Sequence, residues 1–220
     1  MNEMWERFAS TPIRNVGTLG GNIANGSPIG DSMPALISLE AKVVLTSIKG
    51  SRTLLLEDLY LDYMKKDMQS DEIVESILLP LPIKGRIFRC YKLSKRYDSD
   101  ISAVFAAFSI SLNNNIVEHC LITYGGMAAT PKRATSCEQS LIGQSWTEDS
   151  VRHAMQQMSK DYSPMSDCRA SEENRTQSAA NLLLRFYLET NPDNPIANDK
   201  LNVFANRSNI TDIPVMVKKP

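Results

Sequence analysis

A glycine-rich stretch near the N-terminus holds the residues best suited to bind a small anionic ligand. Residues 14–31, RNVGTLGGNIANGSPIGD, contain five of the ten glycines of the 220-residue chain, with three asparagines among them. Glycine permits positive φ and places no Cβ in the way of a ligand that approaches the backbone. Successive backbone N–H groups in such a loop can form a concave site for phosphate or ribose oxygens. The alternative is a tight structural turn, because the spacing matches neither the Gly-x-Gly-x-x-Gly dinucleotide motif nor the P-loop.

Other residue types that could do chemistry lack the partners that their chemistry needs. The four cysteines contain no C-x-x-C pair, so neither structural zinc nor an iron–sulfur cluster is expected on this chain itself. His119 and His153 are the two histidines, and the spacing around them supplies neither a metal site nor a Ser/His/Asp triad. The charged run SKRYDSD at residues 94–100 is typical of a solvated loop when it is read by itself. We therefore assign no catalytic residue and no metal ligand.

Composition and charge exclude several classes of partner. The chain has 24 basic and 25 acidic residues and a net charge of −1, so no overall field attracts nucleic acid or an anionic membrane. The hydrophobic fraction of 42% is ordinary for a globular protein. No apolar run approaches the roughly 20 residues that span a bilayer, and the first ten residues lack the apolar region of a secretory signal. We expect a cytoplasmic protein that binds neither nucleic acid nor membrane.

The elements that must position the glycine-rich stretch begin with a small sheet and short helices. Runs rich in Val, Leu and Ile, bounded by Gly, Ser and Pro, are typical of strands. Asp31 is a possible N-cap for the helix that follows it. The predicted order is a short helix over residues 31–39, paired strands over residues 42–48 and 52–56, a short helix over residues 57–66, and a strand over residues 72–81.

The second half of the chain carries the clearest supersecondary pattern, a long β-hairpin. The run ISAVFAAFSISL, which starts at residue 101, predicts the first strand. The polar turn Asn113-Asn114-Asn115 and the run IVEHCLITYGG after it predict the turn and the second strand. Thr147, followed by Glu148 and Asp149, is typical of the start of a helix. Around the hairpin we predict a strand over residues 86–93 and helices over residues 133–141, 147–162 and 170–190, so that helices pack on a sheet.

Four segments, in this order, resemble the flavin-binding part of the molybdenum hydroxylase family, which includes the FAD domain or FAD-bearing small subunit of xanthine dehydrogenases. They are TLGGNIANGSPIGD (18–31), YKLSKRYDSDIS (91–102), YGGMAATPKRA (124–134) and SPMSDCRASEENR (163–175). The resemblance implies an α+β fold. Residues 1–82 would be the second half of a PCMH-type FAD-binding domain, and residues 84–190 a C-terminal α+β domain. Residues 191–220 are expected to be a flexible tail, whose apolar residues could dock on a partner: Val203, Phe204, Val215 and Met216.

The resemblance also implies which residues contact FAD. A positive charge at Lys92, beside the flavin ring, would stabilise negative charge on the reduced flavin. Arg96 and Asp100 match charged positions nearby. No catalytic residue and no metal ligand are implied for this chain. The expected cofactor-binding residues are Phe8, Thr18, Leu19, Gly20, Gly21, Asn22, Asp31, Val74 and Lys92.

The function implied by the resemblance is an electron relay. In this family a molybdenum cofactor oxidises the purine, iron–sulfur clusters carry the electrons, and FAD passes them to NAD. The domains or subunits that hold the clusters and the molybdenum cofactor are therefore the expected partners. The first half of the flavin domain and the iron–sulfur region are absent before Met1, so we expect little activity from the chain alone. The alternative is a truncated, non-catalytic interaction or scaffold protein that no longer binds FAD.

Overall fold

The computed structural model describes residues 2–201. The apolar tail residues Val203, Phe204, Val215 and Met216 therefore lie outside the described residues, and so does most of the predicted tail over residues 191–220. Within the described range, no helix is long and apolar enough to cross a bilayer. No group of three His, Cys, Asp or Glu side chains in the same range could hold a metal ion.

The N-terminal part of the chain combines short helices with a three-stranded antiparallel sheet, in which the strand Lys42–Ser47 lies between Gly50–Leu55 and Ile73–Leu78. The predicted hairpin is confirmed, with Lys42 opposite Leu55 and Ser47 opposite Gly50. The short helix after Asp31 and the strand within residues 72–81 are also confirmed. The elements are α1 (Asn2–Arg7), α2 (Thr11–Val16), α3 (Leu19–Asn25), α4 (Ser32–Ile37), β1 (Lys42–Ser47), β2 (Gly50–Leu55), a 3-10 turn (Leu56–Leu59), β3 (Tyr60–Asp62), β4 (Lys65–Lys66) and β5 (Ile73–Leu78).

The helix predicted over residues 57–66 is wrong. After a single 3-10 turn the chain forms the small antiparallel hairpin of β3 and β4. The turn already buries Leu56 and Leu59 in the core. The hydroxyl of the buried Tyr60 then donates a hydrogen bond to the carbonyl oxygen of Ile23 at 3.2 Å, which leads the chain away from a helical path. Tertiary contacts therefore override the local preference.

The C-terminal part is a four-stranded antiparallel sheet whose strands follow one another in chain order, and three helices cover it. The long hairpin is confirmed, and both Asn114 (φ 48) and Asn115 (φ 64) adopt the left-handed conformation that a tight hairpin turn requires. Thr147 caps its helix as predicted, because its side chain accepts a hydrogen bond from the backbone of Ser150. The elements are β6 (Arg86–Leu93), β7 (Val104–Asn113), β8 (Ile116–Gly125), β9 (Lys132–Arg133), α5 (Thr135–Leu141), α6 (Glu148–Asp161), α7 (Glu172–Thr190) and α8 (Asn198–Leu201).

Strand β7 is buried on both faces and forms the common wall of the molecule. Side chains alternate along a strand, so its even-numbered and odd-numbered residues face opposite sides. Val104 and Phe108 belong to the aromatic core beneath α5, α6 and α7. Phe105 and Ala107 pack with α1 and α4 on the other face. The uninterrupted apolar run in the sequence follows from this two-sided burial.

Arg52 of β2 fixes the segment that leads into β5. Its guanidinium donates to the carboxylates of Glu72 (Nε to Oε1, 2.6 Å) and Asp67 (Nη1 to Oδ2, 2.9 Å), and to the carbonyl oxygen of Asp67 at 2.7 Å. The hydrogen bonds from Arg52 lower the pKa of Glu72 from 4.5 to about 2. Because β5 begins directly after Glu72, this contact sets where Val74 enters the sheet.

The segment after β8 is held by Gly126 and Arg175. Gly126 has a φ of 82, and a Cβ there would overlap the carbonyl oxygen of Ala103. Its backbone N–H donates to the carbonyl oxygen of Pro28 at 2.7 Å. The buried Arg175 donates to the carbonyl oxygens of Ala103 and Gly126, and to Asp167 at 2.6 Å. One guanidinium thus gathers three segments that are remote in sequence.

We expect the contribution of Glu72 to stability to disappear at low pH. A carboxyl group whose pKa is lower in the folded state stabilises the fold above its unfolded pKa and loses this effect as the pH falls towards its folded pKa. The window therefore runs from about pH 4.5 down to about pH 2. In chemical denaturation at a series of pH values, the difference in unfolding free energy between the parent and Glu72→Gln should shrink across this window. A difference that stays constant would contradict the assignment.

We expect Gly126→Ala to destabilise the protein more than Gly143→Ala. Both glycines have left-handed φ values, 82 and 79, but a Cβ at Gly143 meets no atom within 4 Å. Gly143→Ala should cost about 1–2 kcal/mol for the backbone conformation alone. Gly126→Ala adds the overlap with Ala103, which should cost about 1–3 kcal/mol more. Equal losses in thermal or chemical denaturation would show that the overlap is relieved without cost.

Candidate functional site

The glycine-rich stretch folds differently from the open loop that the sequence suggests. It contains the end of α2 and the whole of α3, which starts because the Thr18 side chain accepts a hydrogen bond from the backbone of Gly21 at 2.9 Å. Helical residues have negative φ, so within the described residues 14–31 the left-handed conformation occurs at Gly26 alone, with φ of 65. Of the two alternatives that the sequence left open, the concave series of positive-φ glycines is therefore not formed in residues 14–31. What this stretch presents instead is the first turn of a helix.

The first turn of α3 combines accessible backbone N–H groups with a missing side chain. The first N–H groups of any helix have no partner within the helix. Thr18 and Gly21 are exposed here, and Leu19 and Gly20 are partly exposed. A Cβ on Gly20 would meet only Val74, at an ordinary contact distance of 3.7 Å. The fold would therefore accept alanine at this position. Glycine is found there even though it costs about 1 kcal/mol relative to alanine in a helix.

The glycine beside it has a structural explanation. A Cβ on Gly21 would lie 2.9 Å from the Thr18 hydroxyl oxygen that caps the helix. A Cβ at Gly21 would thus disturb the cap, whereas one at Gly20 would make only an ordinary contact with Val74. Among the expected cofactor residues, the structure brings Thr18, Leu19, Gly20 and Gly21 together with Val74.

Asp31 and Lys92 form a buried ion pair. Lys92 Nζ lies 2.7 Å from Asp31 Oδ2, and the two side chains are 3% and 5% exposed. The second carboxylate oxygen of Asp31 accepts a hydrogen bond from the hydroxyl of the buried Ser102, at 2.5 Å. Asp31 was expected to cap α4, but its side chain makes no such hydrogen bond and turns to Lys92 and Ser102 instead. The pair joins two expected cofactor residues that are 61 positions apart.

The N-terminal helix is fastened to the strand that carries Lys92. Arg7 Nη1 donates to the carbonyl oxygen of Lys92 at 2.6 Å, and Arg7 Nε donates to that of Tyr97 at 3.0 Å. The guanidinium carbon also lies 4.5 Å from the centre of the Tyr97 ring. Phe8 follows Arg7 directly, and its ring meets that of Trp5 edge to face at 6.1 Å. Phe8 is thus held at the end of the chain segment that Arg7 anchors.

The remaining expected residues differ in their placement. The Asn22 side-chain oxygen accepts a hydrogen bond from Ser32, the neighbour of Asp31, and so links α3 to the ion pair. Arg96 and Asp100 lie in the loop after β6 and pair with each other, with Asp100 Oδ2 accepting the backbone N–H of Arg96 at 2.8 Å. This contact lowers the pKa of Asp100.

Two residues that complete the site were not identified from the sequence. Arg7 neighbours Phe8, and Ser102 ends the motif at residues 91–102, but neither has a spacing or composition that reveals its partner. Both contacts span long separations in the chain, 85 residues for Arg7 with Lys92 and 71 for Ser102 with Asp31. Only the tertiary fold brings them together.

A separate cavity of about 460 Å³ lies beside the glycine-rich stretch. Its walls are mostly apolar, with Ile29 and Pro28 from the end of that stretch, Tyr63 from the β3–β4 turn and Met165. Arg175 and Asp167 supply polar groups. Pro28, which lines the cavity, and Asp31 of the ion pair lie on the same short segment of the chain.

Comparison with known proteins supplies the family. Residues 1–82 match the family described as "FAD binding domain in molybdopterin dehydrogenase", and residues 89–190 match "CO dehydrogenase flavoprotein C-terminal domain". Xanthine dehydrogenase/oxidase of Gallus gallus is 31% identical over 186 residues, 82% of this chain and 14% of the relative. The glyceraldehyde dehydrogenase medium chain of Sulfolobus acidocaldarius is 30% identical over 189 residues, 86% of this chain and 66% of the relative.

A solved structure agrees with these relatives. A chain of carbon monoxide dehydrogenase from Hydrogenophaga pseudoflava superposes with a TM-score of 0.79 at 27% identity, covering 83% of this chain and 63% of that chain. The chain thus spans less than two thirds of that chain and a small fraction of the avian relative. The likeness confirms the predicted α+β fold class, an FAD-binding portion followed by the C-terminal domain of a flavoprotein. The chain belongs to the molybdenum hydroxylase family, as an FAD-binding flavoprotein component.

Proposed function

We propose that this chain holds FAD between the first turn of α3 and the Asp31–Lys92 pair, and that it works as the flavin station of a xanthine dehydrogenase-like oxidoreductase. In this role it relays electrons from iron–sulfur clusters on partner domains or subunits to NAD during purine hydroxylation. The residues proposed to contact the cofactor are Phe8, Thr18, Leu19, Gly20, Gly21, Asn22, Asp31, Val74 and Lys92.

The observation that carries this proposal is the presence of glycine at position 20, where the fold does not need one. Within the described residues, nothing in the fold requires glycine there, because a Cβ would make an ordinary contact with Val74 at 3.7 Å. A ligand that lies against the helix backbone does require it. The adjacent N–H groups at the start of α3 suit the phosphate or ribose oxygens of a dinucleotide.

The buried ion pair supports the same interpretation. Burying two charges costs several kcal/mol per ion, and an apolar pair often stabilises a protein equally well. Asp31 and Lys92 are therefore poorly explained by stability alone. Lys92 provides a fixed positive charge, and Asp31 holds it in place. Bound FAD supplies the chemistry that connects one-electron carriers with an acceptor of two electrons, while the chain supplies position and charge.

The choice of purine as substrate rests on the xanthine dehydrogenase relatives alone. The substrate is oxidised at the molybdenum cofactor, which partner domains or subunits would hold. The family also contains the glyceraldehyde and carbon monoxide dehydrogenases described above. The residues of this chain are relevant to the electron acceptor instead, because they line the cavity beside Ile29.

We propose that this cavity receives NAD. Its volume of about 460 Å³ and its apolar walls suit a planar ring that stacks on Tyr63, which is well exposed. Its lining residues Pro28 and Ile29 lie on the same chain segment as Asp31 of the proposed flavin site. Arg175, which is paired with Asp167, lines the polar end of the cavity, and its buried Nε has no hydrogen-bond partner among the described residues.

We expect Gly20→Ala to stabilise the chain slightly and to weaken flavin binding. Alanine should add about 0.5 kcal/mol to the unfolding free energy, because it restricts the unfolded chain. A methyl group in the space of the cofactor should cost about 1–3 kcal/mol of binding, so flavin affinity should fall about tenfold. Flavin is measured by its visible absorbance after the tagged chain has been purified with its co-purifying partners, and stability is measured by thermal denaturation.

The matched control is His153→Ala, at an exposed position of α6. It should leave the flavin content at the parent value. Flavin that is retained in full by Gly20→Ala would reject the proposed site. A folded parent complex that holds no flavin would favour the non-catalytic interaction protein instead.

We expect Tyr63→Ala to impair the use of NAD selectively. Stacking of a base on an aromatic ring contributes about 1–3 kcal/mol, so the KM for NAD should rise about fivefold or more. The rate with an artificial dye as acceptor and the flavin content should not change. Ile48→Ala, at a fully exposed apolar position, serves as the control. An unchanged KM for NAD would remove the cavity from the acceptor site.

A further inference from the structure

Ser102 completes the environment of the Asp31 carboxylate. Its hydroxyl donates to Asp31 Oδ1 at 2.5 Å, while Lys92 Nζ contacts Oδ2 at 2.7 Å. Ser102 is 2% exposed, so water does not compete for this hydrogen bond. Each oxygen of the carboxylate therefore has its own donor, one neutral and one charged.

The backbone around Ser102 holds its hydroxyl in place. The N–H of the next residue, Ala103, donates to the carbonyl oxygen of Leu93 at 2.8 Å and closes the loop between β6 and β7. The carbonyl oxygen of Ala103 accepts a hydrogen bond from the buried Arg175. Ser102 thus directly precedes a residue whose N–H and carbonyl groups are both held, although the loop before Ser102 is exposed.

A fixed hydroxyl changes the electrostatic potential of the ion pair. Its O–H dipole places positive charge against the carboxylate and so offsets part of the negative charge of Asp31. The net potential near Lys92 is more positive as a result. This effect is strong where solvent does not screen it, and the side chains of Asp31 and Lys92 are almost fully buried.

We propose that Ser102 is a positioning residue that raises the reduction potential of the flavin, by holding Asp31 and limiting how far its charge cancels that of Lys92. The inference rests on the proposed function, because it requires the flavin to lie beside this pair. A more positive potential favours the reduced flavin, since reduction adds negative charge to the ring.

The test is a redox titration of the flavin-loaded complex, followed by visible absorbance against a reference dye. In Ser102→Ala the equilibrium constant for flavin reduction should fall about fivefold, which corresponds to the loss of one hydrogen bond. Ser109→Ala is the matched control, because Ser109 is a fully buried residue of β7 whose hydroxyl has no partner among the described residues. It should leave the potential unchanged, and Ser102→Thr, which keeps a hydroxyl, should restore it.

The outcomes separate this inference from the proposed function. If Gly20→Ala lowers the flavin content but Ser102→Ala titrates like the parent, the role of Ser102 is rejected and the flavin site stands. If the parent complex holds no flavin, or if Gly20→Ala retains it in full, the proposed function fails and the inference fails with it. Should Ser102→Ala not assemble, Ser102→Cys provides a weaker donor of similar size and should shift the potential in the same direction. A parent-like titration of that variant overturns the inference.

Discussion

The arrangement of the N-terminal helices against the second sheet depends on a charge pair from which water is almost excluded. Asp31 stands at the end of the glycine-rich stretch and Lys92 near the end of β6, so each belongs to a different part of the fold. Removing either partner would leave the other charged in an apolar surrounding, which typically costs about 3–5 kcal/mol. The N-terminal helices and the second sheet must therefore pack in the one relative position that brings Asp31 to Lys92. Arg7 and Asn22 add hydrogen bonds on either side of this contact and extend the constraint to α1 and α3.

Strand β7 gives this contact a rigid support. One face lies under the aromatic core of α5, α6 and α7, and the other packs against α1 and α4. Ser38, just after α4, donates to the carbonyl oxygen of Ala107 at 2.8 Å, so hydrogen bonds cross between the two parts as well. A strand that is packed from both sides has little freedom to bend. The polar residues on the adjoining segments consequently keep their distances, which an electrostatic site requires.

The sequence predicted the elements whose signals are local. The hairpin of β7 and β8 follows from two apolar runs and an Asn-rich turn, and the helix after Thr147 follows from its capping residue. The helix predicted over residues 57–66 fails because the burial of Tyr60 against Ile23 decides the path there, and that contact has no local signal. The number of glycines likewise does not determine which of them adopt positive φ. The side chain of Thr18 caps a helix where the glycine-rich sequence suggested a loop.

The candidate site shows the same division. The resemblance to a family supplied Asp31, Lys92 and Gly20. The pairing of Asp31 with Lys92 and the lack of a structural need for glycine at position 20 became visible only in three dimensions. Ser102 and Arg7 carry no pattern of their own, because a serine or an arginine at these positions would read as ordinary surface chemistry. Long-range contacts between single side chains are the part of a site that composition and periodicity do not encode.

The position of Arg175 has a consequence for the order in which the molecule is built. Its guanidinium ties the backbone of Ala103, 72 residues earlier, to Gly126, which in turn is bonded to Pro28. Arg175 is synthesised after Pro28, Ala103 and Gly126, so this tie cannot form until Arg175 has been made. A nascent chain that is interrupted before α7 therefore lacks the anchor between Ala103 and Gly126.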